Sequence, residues 1–213
     1  MGKIKNATIG ALNGKVGNLV GASWKGTDYY RIHNEHINDA NSPKQIAQRE
    51  RFKSVSFLIH KLRTAVIKPV WNNRVAHMTG NNAFMAKNMQ AINADATIDF
   101  SKIVLTAGVL DAPASMNFNK DLSDDGSYVL DWLDVPDAYE FDDSDLLNIV
   151  IFNEADVSVT PFLQLRCAAR KDMLFQFIPK GDAGNKLHIY AFFSNTDGTD
   201  FTESRHFEMT VGA

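Results

Sequence analysis

Several stretches of this 213-residue sequence carry residue types that could do chemistry. Gly10-Ala11-Leu12-Asn13-Gly14-Lys15-Val16 sets a lysine behind two glycines, the ingredients of a loop that cradles nucleotide phosphates with its backbone N–H groups. That chemistry needs four residues between the glycines and a Ser or Thr to hold magnesium; here there are three, and Val16 follows the lysine. Gly21-Ala22-Ser23-Trp24-Lys25-Gly26 approaches a nucleophile elbow. Its second glycine falls one place late and no strand-turn-helix pattern surrounds it, so Ser23 reads as an ordinary strand hydroxyl. His33 and His36, with Glu35 and Asp39 close by, offer ligand atoms to a metal. They lack the helical H-E-x-x-H spacing, and a solvated loop is the better reading. Asp121-Leu122-Ser123-Asp124-Asp125-Gly126 begins like a calcium loop, but Trp132 stands where the bidentate Glu belongs. The run Glu140-Phe141-Asp142-Asp143-Ser144-Asp145 offers carboxylates for weak calcium binding, with a solvated acidic loop the favoured reading. The expectation is a non-enzyme with no catalytic residues, no metal site and no cofactor.

Charge is the stronger signal. Residues 1–92 hold 14 Lys and Arg against 4 Asp and Glu, a net +10, while residues 93–213 hold 8 against 21, a net −13. Opposite halves favour head-to-tail association of copies, or a positive face turned to nucleic acid, and both weaken with salt. Arg49, Arg51, Lys53, Lys61, Arg63 and Lys68 form the basic face, opposed by Glu50 alone. With no reader motif beside it, nucleic-acid binding there would be phosphate-led and indifferent to sequence, and a solvated face is favoured over it.

The elements that must position these residues fall into three segments: an extended arm or β-ribbon over 1–40, a basic helical region over 41–93 and a β-sandwich over 94–213. Glycines at 10, 14, 17, 21 and 26 argue against a helix in the arm, since each would cost about 1 kcal/mol there. Gly17–Trp24 and Asp28–Ile32 read instead as strands joined by a turn at Lys25-Gly26-Thr27. Their apolar residues Val16, Leu19, Val20, Trp24, Tyr29 and Tyr30 need a surface to lie on and are the candidate intersubunit contacts.

Ser42-Pro43-Lys44-Gln45 starts a helix with a cap, a first-turn proline and a reciprocal glutamine. Phe52, Val55, Leu58, Ile59, Leu62 and Val66 make its buried stripe, and Pro69 ends it after about Lys68. A second helix spans about 81–92, burying Phe84, Met85, Met89 and Ile92. From Ala96 the pattern changes to strands: ATIDFSKIVLTAG, ASMNFNK, SYVLDWLD, LLNIVIFN, VTPFLQLRCA, DMLFQFIP, KLHIYAFFS and ESRHFEMTV. Met173, Phe175 and Phe177, and Leu187, Ile189, Ala191 and Phe193, alternate as inward-facing residues.

Cys167 is the only cysteine, so an intrachain disulfide is excluded, and its apolar neighbours predict a buried, inert thiol. No apolar run reaches the roughly 18 residues of a membrane span, and the first residues lack a signal-peptide core. The product is expected to be made in the cytoplasm and to enter a virion or released particle without membrane insertion.

Trp132 in YVLDWLDVP and Tyr190 in LHIYAFF resemble the early tryptophan and late tyrosine of fibronectin type III and immunoglobulin-like sandwiches. The start GALNGKVGNLVGASWKGTDYYRI, with G-K-V-G and V-G-x-x-W-K-G motifs, and the Q-x-x-Q-R-x-x-F segment at Gln45, Gln48, Arg49 and Phe52 are similar to an uncharacterised Bacteroidota family of about this size. That resemblance implies no activity. The expected fold is α+β, an N-terminal glycine-rich β-ribbon and two helices followed by an antiparallel immunoglobulin-like β-sandwich. The expected function is a structural, homo-oligomeric subunit of a bacteriophage virion, phage-derived particle or filament, whose partners are itself or other assembly subunits. A ligand- or glycan-binding sandwich and a sequence-independent nucleic-acid-associated protein are the alternatives.

Overall fold

The runs Leu146–Asn153 and Lys186–Ser194 are almost continuously apolar, the composition of strands covered on both faces. The computed structural model describes residues 2–3, 13–24, 26–36, 39–73, 75–120, 126–134, 142–155, 161–178 and 181–212, and it has this arrangement. Its strands are β1 (Gly2–Lys3), β2 (Gly14–Val16), β3 (Leu19–Trp24), β4 (Thr27–Ile32), β5 (Ser115–Lys120), β6 (Tyr128–Leu133), β7 (Leu146–Asn153), β8 (Phe162–Gln164), β9 (Leu174–Phe177), β10 (Lys186–Ser194) and β11 (Arg205–Thr210). Two α-helices, α1 (Pro43–Leu62) and α2 (Gly80–Asn88), accompany them. The strands form three antiparallel sheets, ordered β1-β4-β3-β2, β11-β10-β7-β8 and β5-β6-β9.

The chain divides into two compact units, Met1–Gln45 and Ile46–Ala213. In the larger one, Leu147, Ile149, Ile151, Leu187, Ile189, Ala191 and Phe193 of β7 and β10 meet Met116, Leu130, Trp132 and Phe177 of the three-stranded sheet. The other face of the same strands turns Val150, Phe152, Tyr190 and Phe192 toward Val55, Leu58 and Leu62 of α1, Trp71, and Phe84 of α2. Helices, four-stranded sheet and three-stranded sheet are therefore successive layers, with β7 and β10 the wall between two cores. Fully enclosed residues such as Leu130, Leu147 and Phe193 each contribute roughly 1.5–3 kcal/mol by leaving water. Because the helices and the sheets share a core, the expected boundary between 93 and 94 does not separate compact units.

Several local expectations change. Pro69 does not end the first helix; Arg63–Trp71 continues it as a wider π-type turn with the proline inside. Val66, Ile67, Val70 and Trp71 are all buried there, and Trp71 Nε1 donates to the Leu105 carbonyl at 3.0 Å. Four such side chains, at roughly 1.5–3 kcal/mol each, outweigh the roughly 3 kcal/mol that an interior proline costs. Phe52, expected in the buried stripe, is exposed.

The expected first sandwich strand from Ala96 is absent from the ladders. Phe100–Lys102 forms a 3₁₀ turn capped by Asp99. Beyond it, side chains satisfy the backbone in place of a neighbouring strand: Val104 N–H donates to Asn88 Oδ1 (2.7 Å), Asn88 Nδ2 donates to the Val104 carbonyl (3.0 Å) and Leu105 N–H donates to Ser204 Oγ (3.1 Å). Met173 does not face inward. It ends a 3₁₀ turn in the left-handed region (φ 55°) with its side chain exposed, while Phe175 and Phe177 keep the inward positions.

The smaller unit is the glycine-rich arm, a sheet of four short strands. Gly17 (φ 57°) makes the tight turn that puts Val16 opposite Leu19, and Gly26 (φ 77°) makes the one that puts Trp24 opposite Thr27. Ser42 caps α1 as its sequence predicts: Gln45 N–H donates to Ser42 Oγ (3.4 Å) and Ser42 N–H donates to Gln45 Oε1 (3.0 Å).

Candidate functional site

Cross-strand register assigns the arm's apolar residues to faces, because directly opposed residues of antiparallel strands share one. Val16 pairs with Leu19, Leu19 with Ile32 and Gly21 with Tyr30, so Val16, Leu19, Tyr30 and Ile32 share a face. Val20, Trp24 and Tyr29 lie on the other, beside Lys15 and Arg31. The six residues singled out by sequence thus form two apolar surfaces. Val16 is 60% exposed and Ile32 77%. Among the described residues, every buried hydrophobic side chain lies at Val55 or beyond, so the arm sheet has no core of its own.

The basic residues of α1 do not remain one cationic face. Arg51 is drawn inward, donating from Nε to the Ile92 carbonyl (3.2 Å) and from a terminal nitrogen to the Met89 carbonyl (3.0 Å). Lys53 sits 3.5 Å from Glu50, and Lys61 lies over the Phe57 ring. Arg49, Arg63 and Lys68 are exposed.

A cleft of about 590 Å³ opens beside α1, with Phe57, Ile98, Phe100, Glu50, Lys53 and Glu154 among its lining. Next to it is a polar cluster that sequence reading misses. Tyr190 pairs with His206 and His188 with Glu208 across β10 and β11, which brings the two imidazoles together. His188 Nδ1 is 3.1 Å from His206 Nε2, and His188 Nε2 is 3.3 Å from Glu154 Oε2. A carboxylate only accepts, so His188 Nε2 carries the proton donated to Glu154, and His206 Nε2 donates to the bare Nδ1 of His188. Lys186 bridges Glu208 (2.9 Å) and Glu154 (3.7 Å), and the Phe100 ring stacks on His188 at 4.3 Å. Burial pushes both histidines below the ordinary imidazole pKa. His188 adds to that effect on His206, whereas Glu154 and Glu208 pull His188 back up. Burial thus favours the neutral form of both imidazoles. Among the described residues, no three His, Cys, Asp or Glu side chains converge as a metal-ligand set.

A second buried cluster joins the two packed sheets. Arg170, fully enclosed, donates from Nε (2.9 Å) and a terminal nitrogen (2.6 Å) to the two oxygens of Asp134. Its other terminal nitrogen reaches the Asp111 carbonyl (2.9 Å) and Asp145 (3.4 Å), and the guanidinium lies 5.3 Å from the Phe193 ring centre. Trp132 Nε1 donates to the Arg170 carbonyl at 2.7 Å. Burial raises the pKa of Asp145, and the Arg170 charge opposes the rise. This is a bidentate, fully desolvated ion pair whose chemistry is structural.

Residues 10–208 match a family described as "Family of unknown function (DUF6266)". The chain belongs to that family. No curated protein matches it. Among solved structures, it is similar to one titled "Twitchin kinase region from C. elegans (Fn31-NL-kin-CRD-Ig26)", at 11% identity and a TM-score of 0.31, over 47% of this chain and 17% of that one. The chain spans about a sixth of that structure's length, and a likeness of this size carries no inference about activity.

The remaining sequence candidates occupy plain positions in this DUF6266 chain. Ser23 is an exposed residue of β3, and His36, Glu35 and Asp39 are exposed while His33 is half-buried. Asp142 accepts from the backbone N–H (2.8 Å) and hydroxyl (2.7 Å) of Ser144, making a tight turn, and Asp145 turns inward to Arg170. Residues 10–12, 121–125 and 140–141 of the flagged loops lie outside the described residues. Cys167 is partly buried with its thiol 3.4 Å from the Leu147 carbonyl, and burial pushes its pKa up to about 11.

Proposed function

We propose that this protein is a non-enzymatic structural subunit of a large assembly, a phage virion, phage-derived particle or filament, and that its N-terminal sheet makes the contacts to neighbouring copies. The observation that carries this reading is the arm sheet itself, which has apolar side chains on both faces and no buried hydrophobic residue among those described. A short sheet of this kind is stable in water only when a face is covered, and a neighbouring subunit is the cover argued here. Charge supports a second copy as that neighbour. Residues 1–45 carry six Lys and Arg against three Asp and Glu (net +3), and residues 46–213 carry 16 against 22 (net −6). On this reading the G-K-V-G and V-G-x-x-W-K-G motifs are the assembly signature of a Bacteroidota-linked family, and the paired sheets act as an immunoglobulin-like spacer. The protein would be made in the cytoplasm and leave it inside a particle. The rival glycan-binding reading needs aromatics at loop tips, and Trp132 and Tyr190 are buried instead.

Deleting residues 1–33 tests the proposal, because both hydrophobic cores lie in the larger unit. The shortened protein is expected to stay folded and lose association in sedimentation at low ionic strength. If it assembles as the full chain does, the reading fails.

A further inference from the structure

The outer face of the three-stranded sheet is divided along its width. On the β5 side it is polar: Asn117 and Asn119 donate to the two oxygens of Asp131, at 2.9 and 3.4 Å. Toward β9 it exposes Leu133, Leu174 and Ile178, each more than half exposed, with Gln176 between the last two. Apolar surface therefore gathers beside one of the sheet's two open edges, since β9 is an edge strand and, among the described residues, β6 is its sole ladder partner.

Edge strands are ordinarily guarded by charge, proline or shortness. The other edges of the two packed sheets have such guards: β11 carries Arg205 and Glu208, β5 ends in Lys120, and β8 is three residues long. β9 is four residues long and carries no charged residue, its guards being Asp172 and Pro179 beyond its two ends. The arm presents a complementary edge. In its sheet β2 lies at the border, with exposed Val16 next to exposed Lys15. Asp172 lies two residues before β9, and Lys15 alternates to the face opposite Val16, so the charge attraction is between the two units as wholes rather than between Lys15 and Asp131.

We propose that β9 is the docking edge for strand β2 of another copy, so that the arm sheet of one copy continues the three-stranded sheet of the next. This rests on the assembly reading above and names its acceptor. Backbone hydrogen bonds hold the joint, Val16 lies on the face of Leu174, and the opposite charges of the two units set a head-to-tail order.

The test uses the full-length chain. Leu174→Lys with Ile178→Lys places two charges on exposed positions, so circular dichroism and thermal midpoint should match the parent while the concentration needed for association rises about tenfold or more. A mixture of Val16→Cys and Leu174→Cys chains should give a crosslinked heterodimer with a short bismaleimide, and the yield should fall at high salt. Unchanged association of the double-lysine variant overturns the inference. So does crosslinking of Leu174→Cys to itself with none to Val16→Cys, which would mean symmetric β9 pairing, and so does a parent chain that is monomeric at every salt concentration. The two proposals separate cleanly: loss of association on deleting residues 1–33 with silent β9 variants removes this inference alone, and retained association after that deletion removes the arm's role.

Discussion

Replacing Arg170 with Met keeps much of the side chain's bulk and deletes its charge. In the parent, Asp134 and Asp145 have their carboxylates almost wholly enclosed, with side chains 7% and 4% exposed, and the guanidinium is the cation that neutralises them. Removing one partner of a buried ion pair costs about 3–5 kcal/mol, because the other charge stays desolvated. The loss should depend on pH in a defined direction. Burial already raises the Asp145 pKa against the opposing pull of Arg170; without that pull it rises further. A carboxyl whose folded pKa exceeds its unfolded value of about 3.9 takes up protons on folding, so the variant loses stability as pH rises through that window. Urea unfolding followed by tryptophan fluorescence, with Trp132 bonded to the Arg170 carbonyl as reporter, should give a cost of about 3–5 kcal/mol at neutral pH and a smaller one near pH 5. Adding Asp134→Asn and Asp145→Asn should recover much of the loss. A cost below about 1 kcal/mol at both pH values would refute the reasoning, since that is the behaviour of a hydrated surface pair.

Two further outcomes follow from local geometry. The depressed pKa values of His188 and His206 mean that folding favours their neutral forms, so the chain should be fully stable above about pH 6.5 and lose stability as pH falls through the lower folded values. Replacing both with Gln should flatten that acid limb in urea titrations between about pH 8 and 5, and an unaltered slope would count against the assignment. A Cβ on Gly108 would lie 1.4 Å from the Phe201 carbonyl oxygen, a clash with backbone, so Gly108→Ala is expected to lower the thermal midpoint strongly or abolish soluble expression.

Local signals were legible where the residue type dictates the backbone. The spacing of glycines in the arm marked two strands and their turn, and Ser42 with Gln45 marked the start of α1. The long ladders of β7 and β10 were equally readable from apolar runs. What could not be read depends on partners distant in sequence. Arg170 stands in a polar stretch that looks solvated, and its carboxylates lie 36 and 25 residues away. His188 and His206 meet only through the register of β10 against β11, which pairs Tyr190 with His206. The segment after Ala96 has the composition of a strand, but Asn88 and Ser204 take its backbone hydrogen bonds, and no local pattern announces that. Pro69 misleads for the opposite reason: a strong local rule yields to four buried side chains.

The shared wall between the two cores has a consequence for how the molecule is made. β10 contributes to both hydrophobic clusters, yet of all the strands and helices only β11 follows it in the chain. During synthesis the helices and the first sandwich strands emerge with neither interior able to close, and both seal together when residues 186–194 leave the ribosome. The arm, exposed first and lacking an interior, waits throughout that interval. If the arm binds other copies as proposed, a nascent chain presents that surface before it has a body, which places a premium on rapid completion when many copies are translated side by side.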